Sequence, residues 1–109
     1  MRNADSVLQS IVDECNEDYV GLWSVIREVR ATLTDESSVV EATLALVKRL
    51  LLEGDVVAGQ FHFNEFQPWE IPVEEIMARI KREWAALGHE PTGGDVVWFT
   101  KGKAERGRG

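Results

Sequence analysis

Apolar residues in the first third of the chain recur at the three- and four-residue spacing of amphipathic helices. The first such face predicts a helix over about residues 6–16 and consists of Val7, Leu8, Ile11, Val12 and Cys15. A second face predicts a helix over about residues 20–31, and its apolar members are Leu22, Val25, Ile26, Val29 and Leu33. Two amphipathic helices therefore open the predicted fold.

A third predicted helix begins among the capping side chains of residues 34–38 and ends at Gly54, which can take the left-handed conformation that closes a helix. Its apolar stripe is too wide for a helix lying on the protein surface. The stripe consists of Val39, Val40, Leu44, Leu46, Val47, Leu50 and Leu51. We therefore expect this helix to lie at the centre of the core.

Two short strands and one more helix are predicted in the second half. Residues 55–61 and 95–100 have the apolar pattern of strands, while residues 61–72 lack a regular period and predict an ordered loop held by aromatic anchors. Residues 72–87 predict a fourth helix that ends at Gly88. Trp84 belongs to the apolar stripe of this helix, so we expect it to be buried.

The order helix, helix, helix, strand, insertion, strand resembles the winged-helix family over residues 5–100. The junction at residues 50–57, Leu-Leu-Leu-Glu-Gly-Asp-Val-Val, is similar to the passage from third helix to wing in that family. The resemblance implies an α+β fold with three N-terminal helices and a two-stranded β-hairpin into which the fourth helix is inserted. The alternative is a parallel pair of strands joined by a right-handed crossover through that helix.

Charge divides the chain of 109 residues into two parts. The last nine residues carry four basic side chains and one acidic one, whereas the whole chain has a formal net charge of −7. We therefore expect a single acidic domain over residues 1–100 and a disordered basic tail over residues 101–109. An acidic body disfavours nucleic acid, because Lys and Arg supply most of the affinity for a phosphate backbone.

Candidate chemistry is sparse. The chain has two histidines, His62 and His89, and one cysteine, Cys15, on an apolar helix face beside acids. These residues match no catalytic or metal-binding motif, and we expect no enzymatic activity, catalytic residue, metal site or cofactor. No apolar stretch is long enough to cross a membrane and no disulfide can form within the chain, so we expect a cytoplasmic protein.

The aromatic residues of the predicted loop are the leading candidates for a binding site. An apolar patch with polar groups at its edge is a common form of protein-contact surface, and here it consists of Phe63, Phe66, Trp69 and Glu70. The competing interpretation is that these rings fasten the loop to the core. On the first interpretation the chain is a small module for protein-protein contacts, with a partner of unknown identity. A homodimer stays open.

DNA binding by a transcriptional regulator is the alternative that the resemblance implies, since the third helix of winged-helix proteins enters the major groove. The residues suited to phosphate contact are Arg27, Arg30, Lys48 and Arg49. The outward positions of the third helix, however, place acids at its leading end, where Arg, Asn and Gln usually contact the bases. These positions are Glu36, Ser37, Glu41, Thr43, Lys48 and Glu53. A third hypothesis, from acidity alone, is an inhibitor of a nuclease, like an antitoxin or immunity protein.

Overall fold

The computed structural model describes residues 4–32, 35–53 and 56–102. Within these ranges the helices are α1 (Ala4–Glu17), α2 (Leu22–Arg30), α3 (Val39–Glu53) and α4 (Val73–Leu87). The strands are β1 (Val20–Gly21), β2 (Val56–His62), β3 (Glu65–Pro68) and β4 (Trp98–Lys101). The described part of the chain is a compact α+β domain, which confirms the predicted class. The expectations for Leu33, Gly54 and residues 103–109 lie outside the described residues.

The strands form one antiparallel sheet with the spatial order β1-β4-β2-β3. The two predicted strands correspond to β2 and β4, which are adjacent and antiparallel although α4 lies between them in sequence. Antiparallel pairing is therefore confirmed, and the parallel crossover is wrong. The prediction of a two-stranded hairpin is also wrong, because the sheet contains β1 and β3 as well.

The strand β3 lies inside the segment that was predicted to be a loop. Phe63 and Asn64 form the two-residue connection between β2 and β3, with φ angles of 53° and 68°. Positive φ at both positions is typical of a type I′ turn, which usually contains glycine. This turn has no glycine, so the strongest sequence signal for a hairpin is missing.

Two further boundaries differ from the predictions. Val20 and Gly21 form β1 instead of the first turn of the second helix, and α2 begins at Leu22. Before β4, Val96 has a φ of 72° and the Val97 N–H donates to the Asp95 carbonyl at 2.8 Å, which forms a γ-turn. The second predicted strand therefore begins three residues later than expected.

The hydrophobic core lies between the helices and one face of the sheet. The buried strand residues that face the helices are Val20, Val56, Ala58 and Phe99. The helices contribute buried residues that include Ile11, Leu22, Ile26, Leu50 and Ile80. Cys15 is buried among them as expected, but Trp84 is only half-buried at the edge of the core, because its position on α4 leaves one side open to solvent.

Thr43 is a correction to the predicted outward face of the third helix. Its side chain is completely buried, and its hydroxyl has no hydrogen-bond partner among the described residues. A buried polar group without a partner loses its hydration with no compensating bond. Thr43 is therefore a core residue that destabilises the fold through its hydroxyl.

We predict that Thr43→Val raises the free energy of unfolding by about 1 kcal/mol, because valine has nearly the same shape and removes the unpaired hydroxyl. Urea denaturation of both proteins measures the change. The matched control is Thr32→Val, since the Thr32 hydroxyl donates to the Val29 carbonyl at 2.9 Å. The control should lower stability, and a loss of stability in Thr43→Val would contradict the prediction.

Candidate protein-contact surface

The alternation of side chains along the strands places aromatic residues on the sheet face that points away from the helices. Trp98 pairs with Gly59, and Phe61 pairs with Phe66, whereas the buried Phe99 pairs with Ala58. Successive side chains of a strand point to opposite faces. One face of the sheet therefore closes the core, and the other presents rings at the surface.

Four rings on this outer face contact one another, and we call them the aromatic face: Tyr19, Phe61, Phe66 and Trp98. The centroids of the contacting rings are 4.9 to 5.8 Å apart, and three of the four pairs are edge-to-face. These distances lie within the range in which aromatic pairs attract each other. The Tyr19 side chain remains 41% exposed, so the cluster is open to solvent.

Two glycines allow the rings of the aromatic face to lie against the backbone. A Cβ on Gly59 would be 2.8 Å from the Phe66 ring and would collide with the Gln67 carbonyl. A Cβ on Gly94 would be 2.7 Å from the indole nitrogen of Trp98. Larger residues at either position would push these rings out of place.

A shallow cavity of about 530 Å³ adjoins the aromatic face. Its lining joins apolar and charged groups: Tyr19, Val57, Glu65, Phe66, Pro68, Thr100 and Lys101. Glu65 and Lys101 are both exposed, and the exposed acids Glu17 and Asp18 immediately precede Tyr19 in the chain. The surface thus combines aromatic rings with charged groups of both signs at its edge.

Phe63 lies at the tip of the β2–β3 hairpin and is 98% exposed. A bulky side chain with a φ of 53° is in a conformation that costs about 1–2 kcal/mol. Burial returns almost none of this cost, because the ring contacts so little of the domain. Strain at an exposed aromatic residue is typical of a position that contacts another molecule.

The structure separates the four residues that the sequence grouped into one site. Both phenylalanines lie on the β2–β3 hairpin: Phe63 is at its tip, and Phe66 belongs to the aromatic face. Trp69 packs against the core, where the Arg79 guanidinium lies 4.0 Å from the centroid of its ring. Glu70 is exposed beside Trp69.

Tyr19 and Trp98 are the site residues that the sequence analysis missed. They are far apart in the chain, and both reach Phe61 because β4 lies between β1 and β2. Trp98 alternates with the buried Phe99, and that alternation is the one sequence signal that could have placed it on the outer face.

Three of the four basic residues proposed for DNA contact already bind partners within the domain. Arg30 contacts Glu36 and Glu90, each at 2.7 Å, and Arg49 contacts Asp5 at 2.9 Å and Glu53 at 3.0 Å. The Arg27 guanidinium lies 4.8 Å from the centroid of the Trp23 ring. The fourth, Lys48, is exposed beside a groove between α3 and α4.

Two of the carboxylates in these pairs, Glu90 and Glu53, have a pKa below the usual range. Hydrogen bonds from Arg30 lower the pKa of Glu90, and hydrogen bonds from Arg49 lower the pKa of Glu53. The same bonds raise the pKa of each arginine. At neutral pH these arginines therefore face ionised carboxylates, which a phosphate group would have to displace.

The remaining chemical groups are dispersed. His62 is exposed at the end of β2, and His89 is exposed in the segment that follows α4. Burial, with a smaller effect of Glu14, raises the pKa of the Cys15 thiol to about 12. In residues 4–32, 35–53 and 56–102 no three His, Cys, Asp or Glu side chains lie close enough to hold a metal ion. None of the described helices has the length and apolar character needed to cross a membrane.

Comparison with known proteins gives no relative from which a role could be carried over. No protein-family profile, curated protein sequence or solved structure matches this chain. The aromatic face and the exposed Phe63 are therefore interpreted from their own geometry.

We predict that Phe63→Asn raises the free energy of unfolding by about 1 kcal/mol, because asparagine adopts positive φ more readily than phenylalanine. Thermal or urea denaturation measures the effect. Asn64→Ala is the control at the neighbouring turn position and should lower stability. If Phe63→Asn unfolded more easily than the parent, the Phe63 ring would be stabilising the domain and would not be free for a partner.

Proposed function

We propose that this chain is a non-enzymatic, winged-helix-like module that binds a basic segment of a protein partner through its aromatic face and hairpin tip. The observation that carries the proposal is Phe63, a strained and 98% exposed aromatic residue at the tip of the hairpin that also carries Phe61 and Phe66 of the aromatic face. Aromatic residues are enriched among the side chains that supply most binding energy at protein interfaces. Trp69 in this proposal holds the hairpin and does not touch the partner.

The order of the elements supports the winged-helix-like part of the proposal. Three helices are followed by β2 and, after an insertion, by β4, which pairs with β2 as the second strand of a wing would. The insertion consists of β3 and α4. It enlarges the wing into a structured unit that carries Phe63 and Phe66.

Charge favours a basic partner over an acidic one. The chain has a net charge of −7. The cavity beside the aromatic face is lined by one acid, Glu65, and one base, Lys101, and the acids Glu17 and Asp18 immediately precede Tyr19 in the chain. Arginine and lysine bind such a surface in two ways, through the carboxylates and over the faces of the rings. Two contacts of the second kind occur among the described residues, Arg27 with Trp23 and Arg79 with Trp69. An acidic inhibitor that occupies a nuclease would be one example of a protein that binds a basic partner in this way.

The free edge of the sheet is poorly suited to strand addition, so the proposal places the partner on the face. The Trp69 N–H donates to the Ala58 carbonyl, and hydrogen-bonded pairs alternate from there along the β2–β3 ladder. The backbone N–H and C=O groups of Phe66 and Pro68 consequently point away from β2, toward the free edge of the sheet. Pro68 has no N–H, which leaves the Phe66 amide as the outward donor in β3.

We expect an arginine-rich nonapeptide to bind the full chain at the aromatic face. In a titration of ¹⁵N-labelled protein, the largest shifts should affect the Trp98 indole N–H and the amides of Phe61 and Phe63. A nonapeptide with glutamate in place of arginine is the control. Phe63→Asn should weaken binding without loss of stability. Shifts confined to the exposed acids of α1 would mean attraction by charge alone and would refute the proposal; these acids are Asp5, Asp13, Glu14 and Glu17.

Duplex DNA is disfavoured as a ligand by two observations. Arg27, Arg30 and Arg49 are engaged within the domain, and α4 packs along α3, the helix that the family resemblance would place in the major groove. A phosphate contact would therefore replace existing ion pairs instead of adding new ones.

We accordingly predict that the full chain does not bind random-sequence duplex DNA at physiological salt. Fluorescence anisotropy with labelled DNA measures this, and a chain that ends at Gly102 separates any contribution of the last seven residues. Tight binding that persists in the shortened chain and is lost in Lys48→Ala would support the regulator alternative instead.

A further inference from the structure

A second surface, distinct from the aromatic face, lies on the helices α3 and α4. The two helices run antiparallel, because one end of the groove between them is lined by Lys48 and Glu74 and the other by Glu41 and Ala85. The two parts of the groove have volumes of about 430 and 440 Å³. We call this surface the α3–α4 face.

The α3–α4 face is apolar and closely approachable. Its floor consists of half-buried Leu44, Met77 and Trp84, and three exposed alanines on its rim leave room for another helix: Ala45, Ala78 and Ala85. Val40 and Leu52 extend it along α3 with exposed fractions of 49% and 61%. These two are among the most exposed large apolar side chains of the described residues.

The charged residues of this face form a regular pattern. On α3 Glu41 precedes Lys48 by seven residues, and on α4 Glu74 precedes Lys81 by the same interval. Seven residues are about two helical turns, so each pair lies on one side of its helix. The face is therefore electrically balanced on a protein whose net charge is −7. Among the described residues these four side chains form no ion pair within the domain.

This pattern is complementary to itself under a two-fold rotation. Consider a two-fold axis that lies in the plane of contact, runs perpendicular to α3 and passes between Leu44 and Ala45. Rotation about this axis places α3 of a second copy antiparallel to α3 of the first. Glu41 of each copy then lies opposite Lys48 of the other. The midpoint between Glu74 and Lys81 on α4 falls between Met77 and Ala78, and these two residues line the groove together with Leu44 and Ala45. The same rotation therefore places Glu74 of each copy opposite Lys81 of the other.

We infer that the chain forms a symmetric homodimer in which two α3–α4 faces pack into a four-helix arrangement. The apolar centre supplies the attraction, the alanines allow close approach, and four intermolecular Glu–Lys contacts fix the antiparallel register. Each helix is only about 22 Å long, so the interface is small and the dimer dissociates on dilution. The aromatic face lies on the other side of the sheet, and the dimer therefore presents two of them.

Sedimentation velocity of the full chain over a series of concentrations tests the inference. The parent should shift from monomer to dimer as its concentration rises. Lys48→Glu and Glu41→Lys should each weaken dimerisation by about tenfold or more, because each change places like charges opposite one another at both symmetry-related contacts. Circular dichroism should show that both variants stay folded, since both positions are exposed.

Combining the two charge-reversal variants distinguishes the proposed pairing of Glu41 with Lys48 from a general effect of charge on association. An equimolar mixture of Lys48→Glu and Glu41→Lys should form heterodimers, and the double variant should recover the parent's dimerisation. Arg82→Glu makes the same charge change on α4 away from the groove and should have little effect. A parent that stays monomeric at every concentration, single variants that dimerise like the parent, or a mixture that does not associate would each overturn the inference.

Discussion

The fold depends on a strand that comes last in the described chain and lies in the middle of the sheet. β4 is bonded on one side to β1 and on the other to β2, and its Phe99 side chain is completely buried against the helices. Until β4 is in place, β1 is a two-residue extended segment and the hairpin of β2 and β3 has no neighbour. Two-stranded hairpins are marginal in water, so the sheet and the core have to form together.

The position of β4 also explains why the sheet has two different faces. Phe99 points into the core while Trp98 and Thr100 point outward, and Trp98 meets Phe61 at a centroid distance of 5.8 Å. The same strand thus completes the hydrophobic core and the aromatic face. The backbone just before it is strained at Val96, a buried β-branched residue with positive φ, which the packing of Val97 and Phe99 holds in place.

The helices could be predicted from sequence because their apolar residues recur at helical spacing over long stretches. α1, α3 and α4 were found with boundaries close to those observed. β3 could not be predicted, because the turn before it contains Phe63 and Asn64 where glycine is the usual sequence signal. β1 could not be predicted either, because a strand of two residues is too short to show an alternating pattern. Phe66 and Trp69 were grouped into one site for a related reason. A segment assigned to a loop has no predicted alternation of side chains, so nothing in the sequence placed Phe66 on the outer face and Trp69 against the core.

Amide hydrogen exchange of the full chain tests the central role of β4 most directly. The register assigns the Phe99 amide to the ladder with β1 and the Trp98 and Thr100 amides to the ladder with β2, whereas the Phe66 amide points away from the sheet. Phe99, Trp98 and Thr100 should therefore exchange together and only through global unfolding, and Phe66 should exchange rapidly. Rapid exchange along β4 while α1 and α3 stay protected would mean that the last strand is an appendage, and the two-faced sheet would then not be what holds this domain together.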